Sequence, residues 1–285
     1  MQKWSIFLIT LFLFGCATAE KEVETSINLA PDAEETEPAE QPSEDEQTTE
    51  DETNTEDETM SDEALLENAT NLVIDAINDM SNWNSFSSTS SATTQFTSTE
   101  FNSEYIRYIQ FVRAPFQVYI DTHSTGTMVQ RVEQYGVQYE DGSYNLYENN
   151  DSATFEETEA PHGMTKDHIQ IRKNLLAFAL GNSNVNDATA EDSTIVLNIT
   201  LNEDQYEKFA ELFMEILEVT VPDLDIKSNF VAVRLDLVLD GLNLFGYTVR
   251  LQYTPDDIDG AEELYFLENI ETINDFNYIE APFSY

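Results

Sequence analysis

Between Glu20 and Glu63 the chain carries 19 acidic residues and a single basic one, Lys21, with no aromatic residue between Lys21 and Asp62. Thr, Ser, Pro and Gln supply much of the remainder. Such a segment buries too little apolar surface to offset the entropy lost on ordering, so we expect disorder. Repulsion between its carboxylates should also extend it. The sequence therefore predicts an acidic disordered tether over residues 16–61 and confines the folded core to the residues that follow.

Residues 1–15 have the features of an export signal. Lys3 supplies a positive charge, and residues 4–14 form an apolar run interrupted only by Ser5 and Thr10. This run is too short to span a bilayer, which takes about 20 apolar residues. It is typical of the hydrophobic region of a signal peptide, so we expect residues 1–15 to be a cleaved signal.

The end of this signal carries a second motif. Leu13-Phe14-Gly15-Cys16 resembles the bacterial lipobox, and Cys16 is the only cysteine in the chain. No intrachain disulfide is therefore available, and the core must hold the domain together. The lipobox resemblance implies a diacylglyceryl group on the Cys16 thiol, and two acyl chains suffice for stable anchoring. The expected location is the extracytoplasmic face of the cell membrane.

The charge of the chain limits its partners. Its formal net charge is -44, from 56 acidic and 12 basic residues. Nucleic-acid binding needs a basic footprint, and none can be assembled from so few basic residues. A polybasic patch for anionic lipid head groups is excluded for the same reason.

Apolar residues recur at helical spacing in three segments of the region 62–285, which we predict to be one domain. The first helix is predicted from Ser61 or Asp62, either of which can cap it, to Met80. The second is predicted over residues 164–180, and the third is predicted to be capped by Asn202 and to run through Leu217.

The other patterned segments alternate with the period of strands. Asp141-Gly142 and Asp240-Gly241 are typical hairpin turns. Consecutive antiparallel strands with a few segregated helices indicate an α+β domain. The predicted strands cover residues 85–99, 105–113, 116–121, 127–135, 137–140, 143–147, 193–201, 229–239, 245–253 and 263–272.

Two short stretches carry a family resemblance. Residues 109–119 read IQFVRAPFQVY and residues 140–147 read EDGSYNLY. With the opening helix and the long polar strand, they are similar to the strand-Pro-strand crossing and the following turn of the LolA/LppX group of lipoprotein carriers and lipid-binding lipoproteins. The matching stretch runs over residues 62–147, with a consistent element order as far as Pro282.

The resemblance implies an open half-barrel, which is a strongly curved antiparallel sheet with helices packed on its concave face and acyl chains held there. The chain departs from the group at one position. The carriers typically have Arg directly before the Pro of the crossing, whereas here Ala114 precedes Pro115 and Arg113 lies one position earlier. Carrier-type handover of lipoproteins is therefore not implied.

Motifs of catalysis and metal binding are missing from the sequence. His123, His162 and His168 form no HExxH or HxH pattern. No GxSxG motif occurs. The acidic run at residues 256–263 does not follow the spacing of an EF-hand and is predicted to be a turn. We therefore expect no enzyme activity, no metal and no cofactor.

Aromatic residues are the remaining candidates for a site. Both a filled core and the lining of an apolar cavity between sheet and helices use such residues, and the sequence does not separate the two. The functional hypothesis is a membrane-anchored lipoprotein that binds a lipid or an acyl chain. The alternative is a surface module that meets an envelope protein or senses the envelope without a small ligand. The candidate ligand-binding residues are Phe111, Phe116, Tyr119, Tyr135, Tyr144, Tyr147, Phe178, Phe209 and Phe213.

Overall fold

A computed structural model of the chain describes residues 61–95, 102–125, 130–150, 154–158, 164–220, 230–254 and 262–283. The chain divides into two units, Met1–Glu56 and Asp57–Tyr285, and all of the described residues belong to the second. The predicted signal peptide, the lipidation site at Cys16 and nearly all of the tether lie outside the described residues.

The described ranges form one antiparallel sheet of 11 strands in the order β6-β5-β4-β3-β2-β1-β11-β10-β9-β8-β7. The sheet is open, and β6 and β7 are its two ends. Neighbours in the sheet are neighbours in sequence, except that β1 pairs with β11 at the centre. The strands are β1 Ser85–Gln95, β2 Asn102–Val112, β3 Gln117–Thr125, β4 Gln130–Gln138, β5 Tyr144–Asn150, β6 Glu156–Thr158, β7 Ser183–Glu191, β8 Thr194–Leu201, β9 Phe230–Asp240, β10 Asn243–Tyr253 and β11 Glu262–Ile273.

Three α-helices occur in the described ranges: α1 Asp62–Asp79, α2 His168–Gly181 and α3 Tyr206–Thr220. Helix α1 contacts β7 to β10, α2 contacts β8, and α3 contacts β9. Buried side chains of the three helices and of the sheet join in one apolar core. The predicted fold class, α+β with an open antiparallel sheet and helices packed on it, is confirmed.

The two faces of the sheet differ in what covers them, and strand β9 shows the difference. Its residues Val233, Leu235 and Leu237 are buried in the core shared with the helices. The alternate residues Arg234 and Asp236 point to the other side, because successive side chains of a strand point to opposite faces. We call the side that contacts the helices the helix face and the other side the outer face.

Local signals place the helices. Ser61 caps α1, since its Oγ accepts a hydrogen bond from the Ala64 backbone N–H at 3.3 Å. Asp167 caps α2, and its Oδ1 accepts hydrogen bonds from the backbone N–H groups of Ile169 and Gln170 at 3.0 Å each. Arg113 donates from Nε to Asp167 Oδ2 at 2.9 Å. The residue noted at the strand crossing therefore ties β2 to the start of α2.

The strand predictions need two corrections. The strands predicted over residues 127–135 and 137–140 are one strand, β4, because Gly136 lies inside it. A Cβ at Gly136 would lie 2.8 Å from Leu146 Cδ2, so the close approach of β5 explains the glycine. Strands β6 and β7 were not predicted. Strand β7 is a polar edge strand without a buried residue, so no apolar alternation marks it.

Candidate functional site

The centre of the helix face holds a row of polar side chains. In the register of the sheet, Ser90 on β1 lies opposite Glu268 on β11 and opposite Arg107 on β2. Glu268 lies in turn opposite Tyr247 on β10. All four residues therefore project to the helix face, and all four are buried. The small Ser90 side chain leaves space above β1 for its longer neighbours, Arg107 and Glu268.

Arg172 of α2 completes this cluster from the helix side. Its Nε lies 2.9 Å from each oxygen of Glu268, and its Nη2 lies 2.6 Å from Oε1. The Tyr247 hydroxyl donates to Glu268 Oε2 at 2.6 Å, and the Ser88 hydroxyl donates to Oε1 at 2.6 Å. The side chains of Arg172 and Glu268 are 2% and 0% exposed. This is a fork-like guanidinium–carboxylate pair buried between sheet and helix.

The partners of Glu268 determine its ionisation. Burial alone would raise the pKa of Glu268, but the Arg172 charge and the hydrogen bonds outweigh burial and lower it. Burial and the Glu268 charge raise the pKa of Tyr247 well above its usual value. Glu268 is therefore an anion at neutral pH and Tyr247 a neutral donor to it.

Arg107 adds a second guanidinium to the cluster. Burial and then the positive charge of Arg172 lower the pKa of Arg107 to about 9, against a smaller opposite effect of Glu268. We call Ser88, Arg107, Arg172, Tyr247 and Glu268 the buried polar cluster. It contains two cationic side chains and one carboxylate, in surroundings where charges are weakly screened.

Aromatic side chains lie on both sides of the buried polar cluster. On one side the Arg172 guanidinium lies 4.9 Å from the centroid of the Phe86 ring. On the other side Tyr247 contacts Phe266 at 5.8 Å between ring centroids. The buried aromatic residues of the first side are Trp83, Phe86, Phe111 and Phe116, and those of the second are Phe209, Phe213 and Phe266.

Six of the nine predicted ligand-binding residues lie on the helix face or on the helices that cover it. Phe111, Phe116, Phe209 and Phe213 are buried there. Phe178 of α2 is half-buried and packs against the same core. Tyr144 is exposed, and its ring meets Phe116 edge-on at 5.3 Å.

The other three predicted residues, Tyr119, Tyr135 and Tyr147, lie on the outer face and so cannot line a cavity beneath the helices. Tyr119 pairs with Tyr135 across β3 and β4, and Tyr135 pairs with Tyr147 across β4 and β5. The register thus lines the three rings up side by side on one face. Burial and the hydrogen bond to Glu133 raise the pKa of Tyr119.

The chain's own C-terminal segment covers these tyrosines. Phe283 lies 4.6 Å from Tyr147 between ring centroids, and Ile279 is buried in the same small core. The Gln117 side chain fixes this segment, because its Oε1 accepts a hydrogen bond from the Ile279 backbone N–H at 2.9 Å. The outer face therefore has its own aromatic core, separate from that of the helix face.

The buried polar cluster was not predicted, although the sequence contains a signal for it. Glu268 follows Leu264 and Phe266 at the same period of two and precedes Ile270, so it stands at an apolar position of its strand. Arg107 stands likewise between Tyr105 and Ile109. A charge at an apolar position of an alternating strand predicts a buried polar site.

Within the described ranges no three His, Cys, Asp or Glu side chains come together as a metal site. No helix of the described part is long and apolar enough to cross a membrane.

Comparisons with known proteins give distant structural likenesses. No family model matches the chain, and no curated protein matches it. The structure of LprF from Mycobacterium bovis is similar over 76% of this chain and 97% of its own, at 14% identity and a TM-score of 0.46. The lipoprotein LppX from Mycobacterium tuberculosis is similar over 77% of this chain and 100% of its own, at 11% identity and a TM-score of 0.39. The group named from the sequence thus appears among the structural neighbours, and at this distance the likeness carries no functional argument.

Proposed function

We propose that this protein is a lipoprotein anchored through Cys16 to the extracytoplasmic face of a membrane, and that its domain binds a hydrophobic ligand between sheet and helices. The ligand is a lipid or an acyl chain with an anionic head group. The protein acts by binding, without catalysis.

The observation that carries this proposal is the buried polar cluster inside an aromatic layer. An acyl chain needs a dry apolar surface, and its head group needs a polar anchor. The layer between sheet and helices offers both, since the cluster around Arg172 and Glu268 lies between two groups of aromatic rings. The apolar side chains would contact the acyl chain, and the guanidinium groups would attract the head group.

The energetics of the cluster support a functional reason for it. Burying an ion pair costs several kcal/mol per ion, and apolar residues of similar volume are often as stabilising. Charged groups buried at such a cost are frequent at functional sites. Arg107 is held with a lowered pKa, so an anionic group beside it would stabilise its charged form.

The N-terminal part of the sequence supports the location. The lipobox-like motif ends at the chain's only cysteine, and the acidic segment that follows is predicted to extend away from the membrane. Such a tether would let the domain reach lipids or envelope components near one membrane.

The test uses the full chain with Cys16→Ser, so that no acyl group attached to the protein competes for the site. We expect organic extraction and native mass spectrometry to find a bound lipid. After delipidation the protein should bind palmitate about tenfold more tightly than methyl palmitate, because the ester lacks the charge. Arg107→Gln should reduce this preference, whereas Lys208→Gln, an exposed change of the same charge, should keep it. Protein free of lipid that also takes up no fatty acid would refute the proposal.

A second candidate function is a surface interaction module without a small ligand. Close packing on the helix face favours it, since Phe111 and Phe116 lie 5.4 Å apart and Phe209 and Phe213 lie 5.6 Å apart between ring centroids. Absence of lipid uptake, combined with a specific envelope protein cross-linked to the intact lipoprotein in cells, would support this candidate over the first.

A further inference from the structure

Two arginines lie directly opposite each other on the outer face. Arg234 on β9 pairs with Arg250 on β10 in the register of the sheet. Like charges in this arrangement destabilise a sheet. The chain has six arginines and 56 acidic residues, so acids to oppose an arginine are abundant. Two adjacent guanidiniums in a protein with so many acidic residues indicate an anion-binding site.

A cleft lies at this pair. Its volume is about 300 Å³, at the lower end of the range for small-ligand sites. Each lining residue carries a hydrogen-bonding side chain, and the set combines amides, a hydroxyl, a carboxylate and the two guanidiniums. The cleft is lined by Asn186, Asn198, Thr200, Arg234, Asp236 and Arg250.

Hydrogen bonds hold the floor of the cleft in place. Asn186 Nδ2 donates to Asn198 Oδ1 at 2.8 Å and to Thr200 Oγ1 at 2.7 Å. Asn198 Nδ2 donates to Asp236 Oδ1, and the Thr248 hydroxyl donates to Asp236 Oδ2 at 2.9 Å. These bonds across four strands fix the orientation of the amides and the carboxylate before any ligand arrives.

The guanidiniums of Arg234 and Arg250 differ in their contacts with neighbouring side chains. Arg250 lies 3.6 Å from Asp236 Oδ2 and 5.7 Å from the centroid of the Tyr265 ring, while 55% of its side chain is exposed. Arg234 is exposed, and in the described part of the chain its guanidinium forms no hydrogen bond or ion pair. The lining of this cleft thus sets one carboxylate, Asp236, beside two guanidiniums.

A second cleft extends this surface toward the centre of the sheet. Its volume is about 180 Å³, and it is lined by Thr93, Arg250, Glu263 and Tyr265. Arg250 borders both clefts. The Tyr265 ring adds an apolar surface beside the charged groups, of the kind on which a sugar ring can lie.

We propose that this outer-face cleft binds a sugar or polyol that carries one carboxylate or phosphate. The guanidiniums of Arg234 and Arg250 bind the anionic oxygens, as their planar forks fit either group. The amides of Asn186 and Asn198 and the hydroxyl of Thr200 bind ligand hydroxyls. A polyanion is disfavoured, because the net charge of -44 repels it. This site is separate from the ligand proposed for the helix face, and either proposal can fail alone.

The test titrates the full chain carrying Cys16→Ser with glucuronate, glucose 6-phosphate and glucose, and follows the arginine Nε–Hε signals by NMR. We expect saturable shifts of Arg234 and Arg250 with the two anionic sugars and none with glucose. The tighter of the two anions identifies carboxylate or phosphate as the preferred group. Raising the salt from about 0.02 M to about 0.15 M should weaken binding, since exposed charges are screened.

Substitutions separate this site from the general charge of the protein. Arg234→Gln and Arg250→Gln should each weaken binding about tenfold or more, as expected for the loss of a charged hydrogen bond. Both side chains are exposed, so the fold should persist. Lys208→Gln makes the same change in net charge on α3 and should leave the affinity unchanged. Absence of saturable shifts, equal binding of glucose, or equal weakening by Lys208→Gln would overturn the proposal.

Discussion

Arg172→Met tests the buried polar cluster directly. Methionine retains much of the length of the arginine side chain and removes its charge. In the protein, Arg172 contacts both oxygens of Glu268 at 2.6 to 2.9 Å, and both residues are fully buried. The substitution leaves Glu268 with the Tyr247 and Ser88 hydroxyls but without its adjacent opposite charge.

The expected loss of stability follows from this geometry. Removing one partner of a buried ion pair typically costs about 3–5 kcal/mol, because a charge then stays buried without compensation. Arg107 still compensates part of the Glu268 charge, so we expect a cost near the lower end of this range. Arg172→Met with Glu268→Gln leaves the Arg107 guanidinium as a buried cation without a carboxylate, although the amide oxygen can still accept from Tyr247. We therefore expect the double variant to be about 1–3 kcal/mol less stable than the single variant.

Urea unfolding of the three proteins, followed by the fluorescence of Trp83, measures these differences. The folded-state pKa of Glu268 lies below its ordinary value of 4.5 in the wild type. Its contribution to stability is therefore present above that value and is lost as the pH falls through the folded pKa. In Arg172→Met the loss of the Arg172 charge and hydrogen bonds raises the pKa of Glu268 above its wild-type value. Protonation of Glu268 at acid pH removes the cost of burying its charge. The difference in the free energy of unfolding between Arg172→Met and the wild type should therefore narrow as the pH falls.

Two results would refute this reasoning. A cost below about 1 kcal/mol for Arg172→Met would mean that the pair contributes no more than an exposed one. A double variant more stable than the single variant would mean that Arg107 and Glu268 do not compensate each other's charge. The pH series adds an independent check, since a gap that is constant down to acid pH would exclude Glu268 as its source.

Three further predictions concern the fold, and urea unfolding checks each of them. Gly246→Ala should lower the free energy of unfolding by about 2–4 kcal/mol, because its Cβ would lie 2.5 Å from a backbone oxygen of β11. Gly181→Ala is the control: its Cβ meets nothing within 4 Å, so this change should be neutral or slightly stabilising. Gln117→Leu should cost about 1–3 kcal/mol by leaving the buried Ile279 N–H unsatisfied, and it should speed proteolysis of the C-terminal segment. Asp167→Ala should cost about 1–2 kcal/mol through loss of the α2 cap.

The helices could be predicted because capping residues and the helical spacing of apolar residues act over a few neighbouring positions in the sequence. Ser61 is the cap of α1, and it is one of the two residues predicted for that position. The third helix begins at Tyr206, three residues later than predicted, because a 3-10 turn at Glu203–Gln205 follows Asn202. Both of the predicted glycine turns also occur, since Gly142 and Gly241 have φ angles of 86° and 61°.

The face on which each aromatic residue lies could not be predicted, because β3 is apolar on both sides. Val118 and Ile120 face the helices, while Tyr119 faces the C-terminal segment. Alternation between apolar and polar residues identifies the buried face of a strand only when the other face is exposed to solvent. Here Phe283 and Ile279, more than 150 residues later in the sequence, cover the other face.

The two pairs of arginines on opposite sides of the sheet should differ in how they respond to salt. Arg107 and Arg172 are buried on the helix face, where dissolved ions screen charges little. Arg234 and Arg250 are exposed on the outer face, where a Debye length of about 8 Å at physiological salt weakens their attraction for an anion. Salt should also stabilise the fold, because it screens the repulsion within a chain of net charge -44. Loss of anionic-sugar binding at a salt concentration that raises the unfolding midpoint would therefore show that exposed charges hold the sugar, since unfolding cannot then explain the loss.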